Sequence, residues 1–572
     1  MLAALLAPLA PTGCGGDADG PPVRSALLIT LDTTRADALS CYGAPAGLTP
    51  YLDALAAEGV LYERARTTAP LTMPTHASML TGLYPLRHTV RSNSAEALPA
   101  SAHTLAELAQ AGGVDTAAFI AAVVLSAEFG LAQGFDVYDQ PERPAVQTEK
   151  HYQERDADAV ADAAVAWIES REPGEPFFAW VHFFDPHQPY TAPADMLARA
   201  GGDPYRAEVA HMDRAIGRVL DALKRTGQYD DTLVIAVADH GESLEEHGEG
   251  THGCLVYEPV IHVPMIVRDP AAARAGERSD EIVSVVDVYP TIAEALRLPL
   301  PADARDVDGR SLFRRRVPDD RGVYFESYYG FFSFGWSHLA GWADRRGKLI
   351  QSSDPELYDV AADPGETRNL IEERADVAEA QRAELAALAE RPVLERTAGD
   401  RAADATAEQL KALGYAGVGA GDATDPLHPL AESTRPNPRD RIGAHRDFLR
   451  ALSLRVAQRY TEAIALLEPI VAENPRHSGA WADLSSCYVK VNRFQRGIAA
   501  AQRALETGPD WYGPHENMGV AFDNLGRIPE AIAQYEIILG MRPGYDLVRD
   551  RLVQLLRSEG RTDEADRWAA RD

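Results

Sequence analysis

Cysteine is scarce in this chain. Its 572 residues include four, Cys14, Cys41, Cys254 and Cys487, and no two stand at CxxC spacing. That pattern excludes a disulfide framework and a paired-thiolate zinc site. Basic charge is short too: 56 Lys and Arg against 86 Asp and Glu leave a net charge of -30. Such a surface repels phosphate backbones, so no nucleic-acid partner is expected. An anionic substrate must then be drawn in by a local cation, which favours a metal site. The apolar run Met1–Gly13 is too short to span a bilayer.

That run does suit the h-region of a signal peptide, although no Lys or Arg precedes it and Pro11 stands where an aliphatic residue is usual. Cys14 follows it directly, and Gly15–Pro22 reads as a tether, so the segment resembles a bacterial lipoprotein signal. The expectation is an exported chain, periplasmic or tethered to a membrane through Cys14. If the segment is not a signal, the chain stays cytoplasmic.

What remains is the composition of a folded protein, 45% hydrophobic and 25% charged, with length for two to four domains. The C-terminal part repeats. Pro475, Pro509 and Pro543 are spaced by 34 residues, as are Ala463, Gly497, Ala531 and Ala565, and so are Tyr460, Phe494 and Ile528. A 34-residue period with a small residue mid-helix and Pro closing the second helix resembles the tetratricopeptide repeat, an all-α solenoid whose usual role is to bind a protein partner. Before it, Gly414–Gly421 and the Pro-bearing stretch to Pro438 have linker composition. The expected division is a signal and tether over 1–23, a catalytic domain over 24–395, a linker over 396–442 and the repeats over 443–572.

Within 24–395 short apolar runs alternate with helix-period segments, which predicts an α/β fold around a largely parallel sheet. Strands are expected at Ser25–Leu31, Pro176–Phe184, Leu233–Ala238 and Val263–Val267. The steps through Tyr205, Val209, Met212, Ile216, Val219 and Leu223 mark one buried helix face. Thr49-Pro50 marks a capped helix start, and a further helix is expected from His76 after a turn at Pro74. Ligands of such folds bind at the carboxyl ends of strands. Asp32, Asp185 and Asp239-His240 stand at those ends. Asp32 alone would more often cap a helix, but adjacent Asp and His before Gly241 offer oxygen and nitrogen donors suited to Zn or Mn. Thr72 lies where helix N–H groups and dipole would hold an anionic group during transfer. A metal ion would activate its otherwise weak hydroxyl.

Asp32-Thr33-Thr34-Arg35, the Thr72–Gly82 segment, Pro85–His88, His182–Tyr190 and Asp239–Glu242 through Val263-Pro264 together resemble the sulfatase family of the alkaline phosphatase superfamily. Leu357–Asp359, Asp363-Pro364, Asn369-Leu370 and Leu410–Tyr415 resemble the end of its bacterial members. The resemblance spans about residues 24–417 and implies the sulfatase-like sandwich fold. It implies that Asp32, Thr72, Asp239 and His240 hold the principal divalent metal, Zn or Mn before Ca or Mg, and that Thr72 attacks. It implies that His182, His187 and His252 contact the substrate, protonate the leaving group or hold a second metal. Arg35, His76 and Asn93 are candidates for binding a small anionic ester.

The departures are at decisive places. Sulfatases carry Cys or Ser where Thr72 stands, converted to formylglycine, and Arg where His76 stands. Thr cannot become formylglycine, and Asp32-Thr33 has one carboxylate where two are usual. Thr72 is instead similar to the Thr of phosphoethanolamine and phosphoglycerol transferases and nucleotide phosphodiesterases. The expected activity is metal-dependent hydrolysis of phosphate, phosphonate or sulfate esters. Phosphoryl transfer, or a degenerate scaffold that binds partners through the repeats, is the alternative.

Overall fold

The computed structural model describes residues 23–93, 96–141, 155–300, 306–313, 321–397, 428–508 and 510–570. Cys14, Leu410–Tyr415, Gly414–Gly421 and Pro509 lie outside them. Twelve strands are found among the described residues: β1 Ser25–Leu31, β2 Val60–Arg66, β3 Asp115–Phe119, β4 Val137–Asp139, β5 Phe177–Phe183, β6 Thr232–Ala238, β7 Met265–Arg268, β8 Glu277–Ser284, β9 Val323–Ser327, β10 Leu339–Asp344, β11 Gly347–Gln351 and β12 Glu356–Tyr358. The first eight form one sheet in the order β4-β3-β5-β1-β6-β7-β2-β8, and the last four form a second, antiparallel one. In the large sheet β7 alone runs antiparallel, to β6 and β2. The mostly parallel α/β class follows from β1, β5 and β6, which are buried along their whole length because helices cover both faces.

Strand β1 is central, and its register brings distant residues together. Leu31 lies beside Phe183 of β5 and Ala238 of β6, and Thr30 lies beside His182. Asp32, His182 and Asp239 therefore emerge at one edge of the sheet.

Three local expectations need correction. Strand β7 starts at Met265 rather than Val263, because Pro264 has no N–H to give the ladder. The helix expected from His76 spans Thr72–Thr81, so Thr72 is its first residue. Pro74 falls in the first turn, where its missing N–H has no partner to lose. Thr49 does not cap the Pro50–Glu58 helix with its side chain. Its hydroxyl accepts from Ser40 N–H at 2.9 Å and donates to Asp53 at 3.2 Å instead. The striped helix is found at Pro204–Arg225, capped by Asp203.

The repeat region is a series of helix pairs. Pro438–Val456 pairs with Tyr460–Glu473, Ser478–Lys490 with Phe494–Thr507, Tyr512–Asn524 with Ile528–Met541, and Asp546–Ser558 with Thr562–Ala569. The small residue of each period is the fourth of its helix rather than a mid-helix residue. The close approach is direct: a Cβ on Gly497 would lie 2.7 Å from Val489 Cγ2. The solenoid packs on the α/β domain through the aromatic Tyr329–Phe334 helix, whose Phe334 meets the rings of His445, Phe448 and His477. No helix among the described residues is long and apolar enough to cross a membrane.

Candidate active site

The site begins where β1 and β6 end. Asp32 N–H donates to Phe183 O at 3.0 Å and Asp239 N–H to Leu31 O at 3.3 Å, so the main chain of each strand end is fixed by its neighbour. Asp239 Oδ1 accepts from His240 N–H at 2.7 Å and from Thr33 N–H at 3.2 Å. Its Oδ2 is buried with no hydrogen-bond partner among the described residues. His240 Nδ1 donates to Gly241 O at 2.9 Å, which leaves the lone pair on Nε2. That nitrogen stands 3.7 Å from Asp32 Oδ1 and 3.6 Å from Asp239 Oδ2. All three residues are fully buried.

One ligand atom from each of Asp32, Asp239 and His240 falls within 4.8 Å of the others. Two buried carboxylates beside a neutral imidazole are costly without a cation. Burial holds the Asp239 carboxyl well above the usual range and the His240 imidazole well below it. A divalent ion would reverse that preference for neutral forms, and this donor set fits one.

Thr72 opens its helix beside this set. Its hydroxyl is 3.4 Å from His240 Nε2. Met73 N–H, in the same first turn, donates to Asn93 Oδ1 at 2.9 Å, while Asn93 Nδ2 is buried without a hydrogen-bond partner among the described residues. His76 lies one turn on, and its Nδ1 donates to Thr72 O at 2.7 Å, 3.7 Å from Asp239 Oδ2. Burial pushes His76 down to about 4, so it is neutral at ordinary pH. The structure thus places His76 behind Thr72, where it holds the main chain that carries the hydroxyl.

The other three histidines separate. His182 belongs to the buried set: Nε2 is 3.5 Å from Asp32 Oδ2, and Nδ1 donates to Phe183 O at 3.1 Å. Burial holds it well below its usual pKa, so it presents a lone pair rather than a proton. His187 and His252 stand across the site, 5.4 Å apart ring to ring, with His252 4.4 Å from His240. His187 stacks on Phe184 and donates through Nδ1 to Gln188 O at 2.8 Å. His252 donates through Nδ1 to Glu242 Oε1 at 3.0 Å.

Arg35 is committed elsewhere. Its guanidinium binds Asp37 through Nε and Nη2, and Glu246 and the Glu242 carbonyl through Nη1. Glu242, part of the Asp239–Glu242 motif but given no role by the sequence alone, is buried, holds His252 and also accepts from the Tyr190 hydroxyl at 3.4 Å. Its place three residues after Asp239 was the signal available.

Comparison with known proteins agrees with this architecture. Residues 24–298 match the Sulfatase family model, residues 247–391 the N-sulphoglucosamine sulphohydrolase C-terminal model, and residues 455–513 a tetratricopeptide-repeat model. Delta 4,5-hexuronate-2-O-sulfatase of Bacteroides thetaiotaomicron is 23% identical over 424 residues, 63% of this chain and 87% of that protein. Human arylsulfatase A is 26% identical over 422 residues, 60% of this chain and 83% of that one. The crystal structure of the phosphonate monoester hydrolase of Agrobacterium radiobacter superposes with a TM-score of 0.52 at 25% identity, covering 64% of this chain and 95% of that one.

Proposed function

The chain belongs to the sulfatase family through residues 24–391, an ester hydrolase domain of the alkaline phosphatase superfamily joined to tetratricopeptide repeats, and on that premise we propose that it cleaves phosphonate or phosphate esters through a covalent intermediate on Thr72. The observation that carries the reading is the Thr72 hydroxyl, 3.4 Å from His240 Nε2 at the start of a buried helix. A Thr lacks the chemistry for formylglycine, so hydrolysis through an aldehyde hydrate is closed to it. The likeness to a phosphonate monoester hydrolase supports the choice of phosphorus over sulfur.

A divalent ion held by Asp32, Asp239 and His240 would acidify the Thr72 hydroxyl and offset the charge of the transferred group. Thr72 Oγ1, its proton released to solvent beforehand, then forms a bond to phosphorus as the bond to the ester oxygen breaks. The Asn93-held first turn fixes the direction of attack, and His76 holds the Thr72 carbonyl. His252, as an imidazolium whose Nδ1–H is held by the Glu242 carboxylate, gives its Nε2 proton to the leaving alkoxide. Water next attacks the Thr72 ester, His252 takes a proton from it, and Thr72 is regenerated. The repeats supply a surface for a protein partner.

A panel of nitrophenyl phosphodiesters, phosphonates and sulfates, with Thr72→Ala and Thr72→Ser beside wild type, tests this. Loss of about 10³-fold or more in Thr72→Ala on the phosphorus esters, with partial activity in Thr72→Ser, is expected. Cleavage of the sulfate alone, undiminished in Thr72→Ala, would overturn it.

A further inference from the structure

Away from the Asp32 site, Glu249, Cys254 and His445 bring one carboxylate oxygen, one thiol sulfur and one ring nitrogen within 4.8 Å of one another. Glu249 and Cys254 bound a short stretch of the α/β domain, whereas His445 lies in Pro438–Val456, the first helix of the solenoid. The three are 1%, 1% and 3% exposed. Glu249 Oε1 accepts from Cys254 N–H at 2.8 Å, so the carboxylate is already aimed at the Cys254 turn. His445 packs edge-on against Tyr329 and Phe334, at 5.6 and 5.5 Å between ring centres. No hydrogen bond to its ring nitrogens is found among the described residues.

We propose that these three residues form a second metal site, for a zinc-class divalent cation, that staples the active-site loop to the repeat domain. An imidazole with no hydrogen bond among the described residues converges here with a carboxylate oxygen and a thiol sulfur, three ligand atoms close enough to share one cation. Carboxylate, thiolate and imidazole are all zinc ligands, while Ca and Mg take oxygen alone. Charge supports the same choice. Burial pushes Glu249 up to about 8, holds the Cys254 thiol above its usual range and pushes His445 down to about 3. Without a cation the triad is an acid, a thiol and a neutral ring. A divalent ion displaces the proton of Glu249 and the proton of Cys254, and two negative ligands with one neutral ring then balance its charge. His252 is two residues before Cys254, so the staple fixes the segment that carries it.

The test is a cobalt titration of the full-length, metal-stripped protein. The Asp32–Asp239–His240 set contains no sulfur, and among the described residues Cys254 is the cysteine that lies in a ligand group, so a thiolate-to-cobalt charge-transfer band lost in Cys254→Ser reports on this triad. One equivalent of such a band is expected in wild type and in Thr72→Ala. It should vanish in Cys254→Ser, and in His445→Gln and Glu249→Gln it should need at least tenfold more cobalt. Zinc content should fall by one per chain in Cys254→Ser, with the far-ultraviolet circular dichroism unchanged. A wild-type protein with no such band, or a band that survives in Cys254→Ser, overturns the proposal whether or not Thr72 proves to be the nucleophile.

Discussion

His252 Nδ1 donates to Glu242 Oε1 at 3.0 Å, while Oε2 of the same carboxylate receives the Tyr190 hydroxyl. This fixes the ring, and the facing carboxylate favours an imidazolium whose Nε2 proton serves the leaving group. His252→Ala should slow hydrolysis of alkyl esters by about 10²–10³-fold, since a poor leaving group needs the proton. Nitrophenyl esters, whose leaving group needs none, should lose less than about tenfold. Glu242→Gln should show the same split at smaller amplitude, in kcat more than KM. Equal losses on both ester classes would remove His252 from this role.

Asp239 combines two satisfied contacts at Oδ1 with a buried Oδ2 that has none. Asp239→Asn keeps the Oδ1 acceptor and removes the cost of burying a carboxyl that, without a cation, is held well above its usual pKa. In metal-stripped protein it should therefore raise Tm by about 2–4 °C, the shift of about 1 kcal/mol in a sizeable domain. Wild type with metal at a hundred times its Kd should gain about 2.7 kcal/mol, and the variant should gain far less and be inactive. Thermal melts with and without added Zn or Mn decide it. An equal metal-dependent rise in both proteins would place the ion elsewhere.

His211 and Glu208 face Asp185 under the same loop, and their shifts have a common sign. Ion pairing with Asp185 and Asp158 raises His211 to about 9 against the cost of burial. Burial, then the contact with Asp185, raises Glu208 to about 8. In both cases the folded chain binds protons that the unfolded chain has released. The His211 contribution is complete below about 6.5, the unfolded value, and is lost as pH rises through about 9. Glu208 adds loss of stability as pH rises from about 4.5 to about 8. Urea titrations should show wild-type stability falling between pH 6 and pH 9, with a shallower fall in Glu208→Gln and in His211→Gln. A slope unchanged in both variants would assign the fall to other groups.

The parts of this architecture legible in the sequence are those set by local pattern. Strands buried on both faces must be apolar throughout, and β1 is found over the seven residues its pattern marks. The pairing of Asp32 with Asp239 follows from parallel strands ending at one edge. The directions of the side chains were not legible. Pro74 reads locally as a turn, yet the helix starts at Thr72 and His76 stands four residues on, the spacing that returns its Nδ1 to Thr72 O. The partners of Arg35 at Glu242 and Glu246 are more than 200 residues away, and no local pattern announces them. Cys254, with no thiol partner at metal spacing, has Glu249 beside it in its own loop and gains His445 only when the solenoid docks.

Phe334 is where that docking is most concentrated. It is 3% exposed, stacks on Trp336 at 4.4 Å and meets the His477 ring nearly at right angles at 4.6 Å, with His445 and Phe448 beyond. Asn474 Nδ2 also donates to its carbonyl, so side chain and main chain both anchor the first repeat. Phe334→Ala removes the ring from between two domains and leaves a cavity that neither can collapse to fill. The cost should be about 3–5 kcal/mol, as for other buried Phe truncations. Because the loss falls on the contact rather than on either core, calorimetry should show the repeat helices melting in a separate transition below that of the α/β domain. Phe331→Ala, on a half-buried neighbour in the same helix, should leave the melting profile nearly as in wild type. An unchanged profile in Phe334→Ala would mean that the solenoid is held by contacts other than this aromatic cluster.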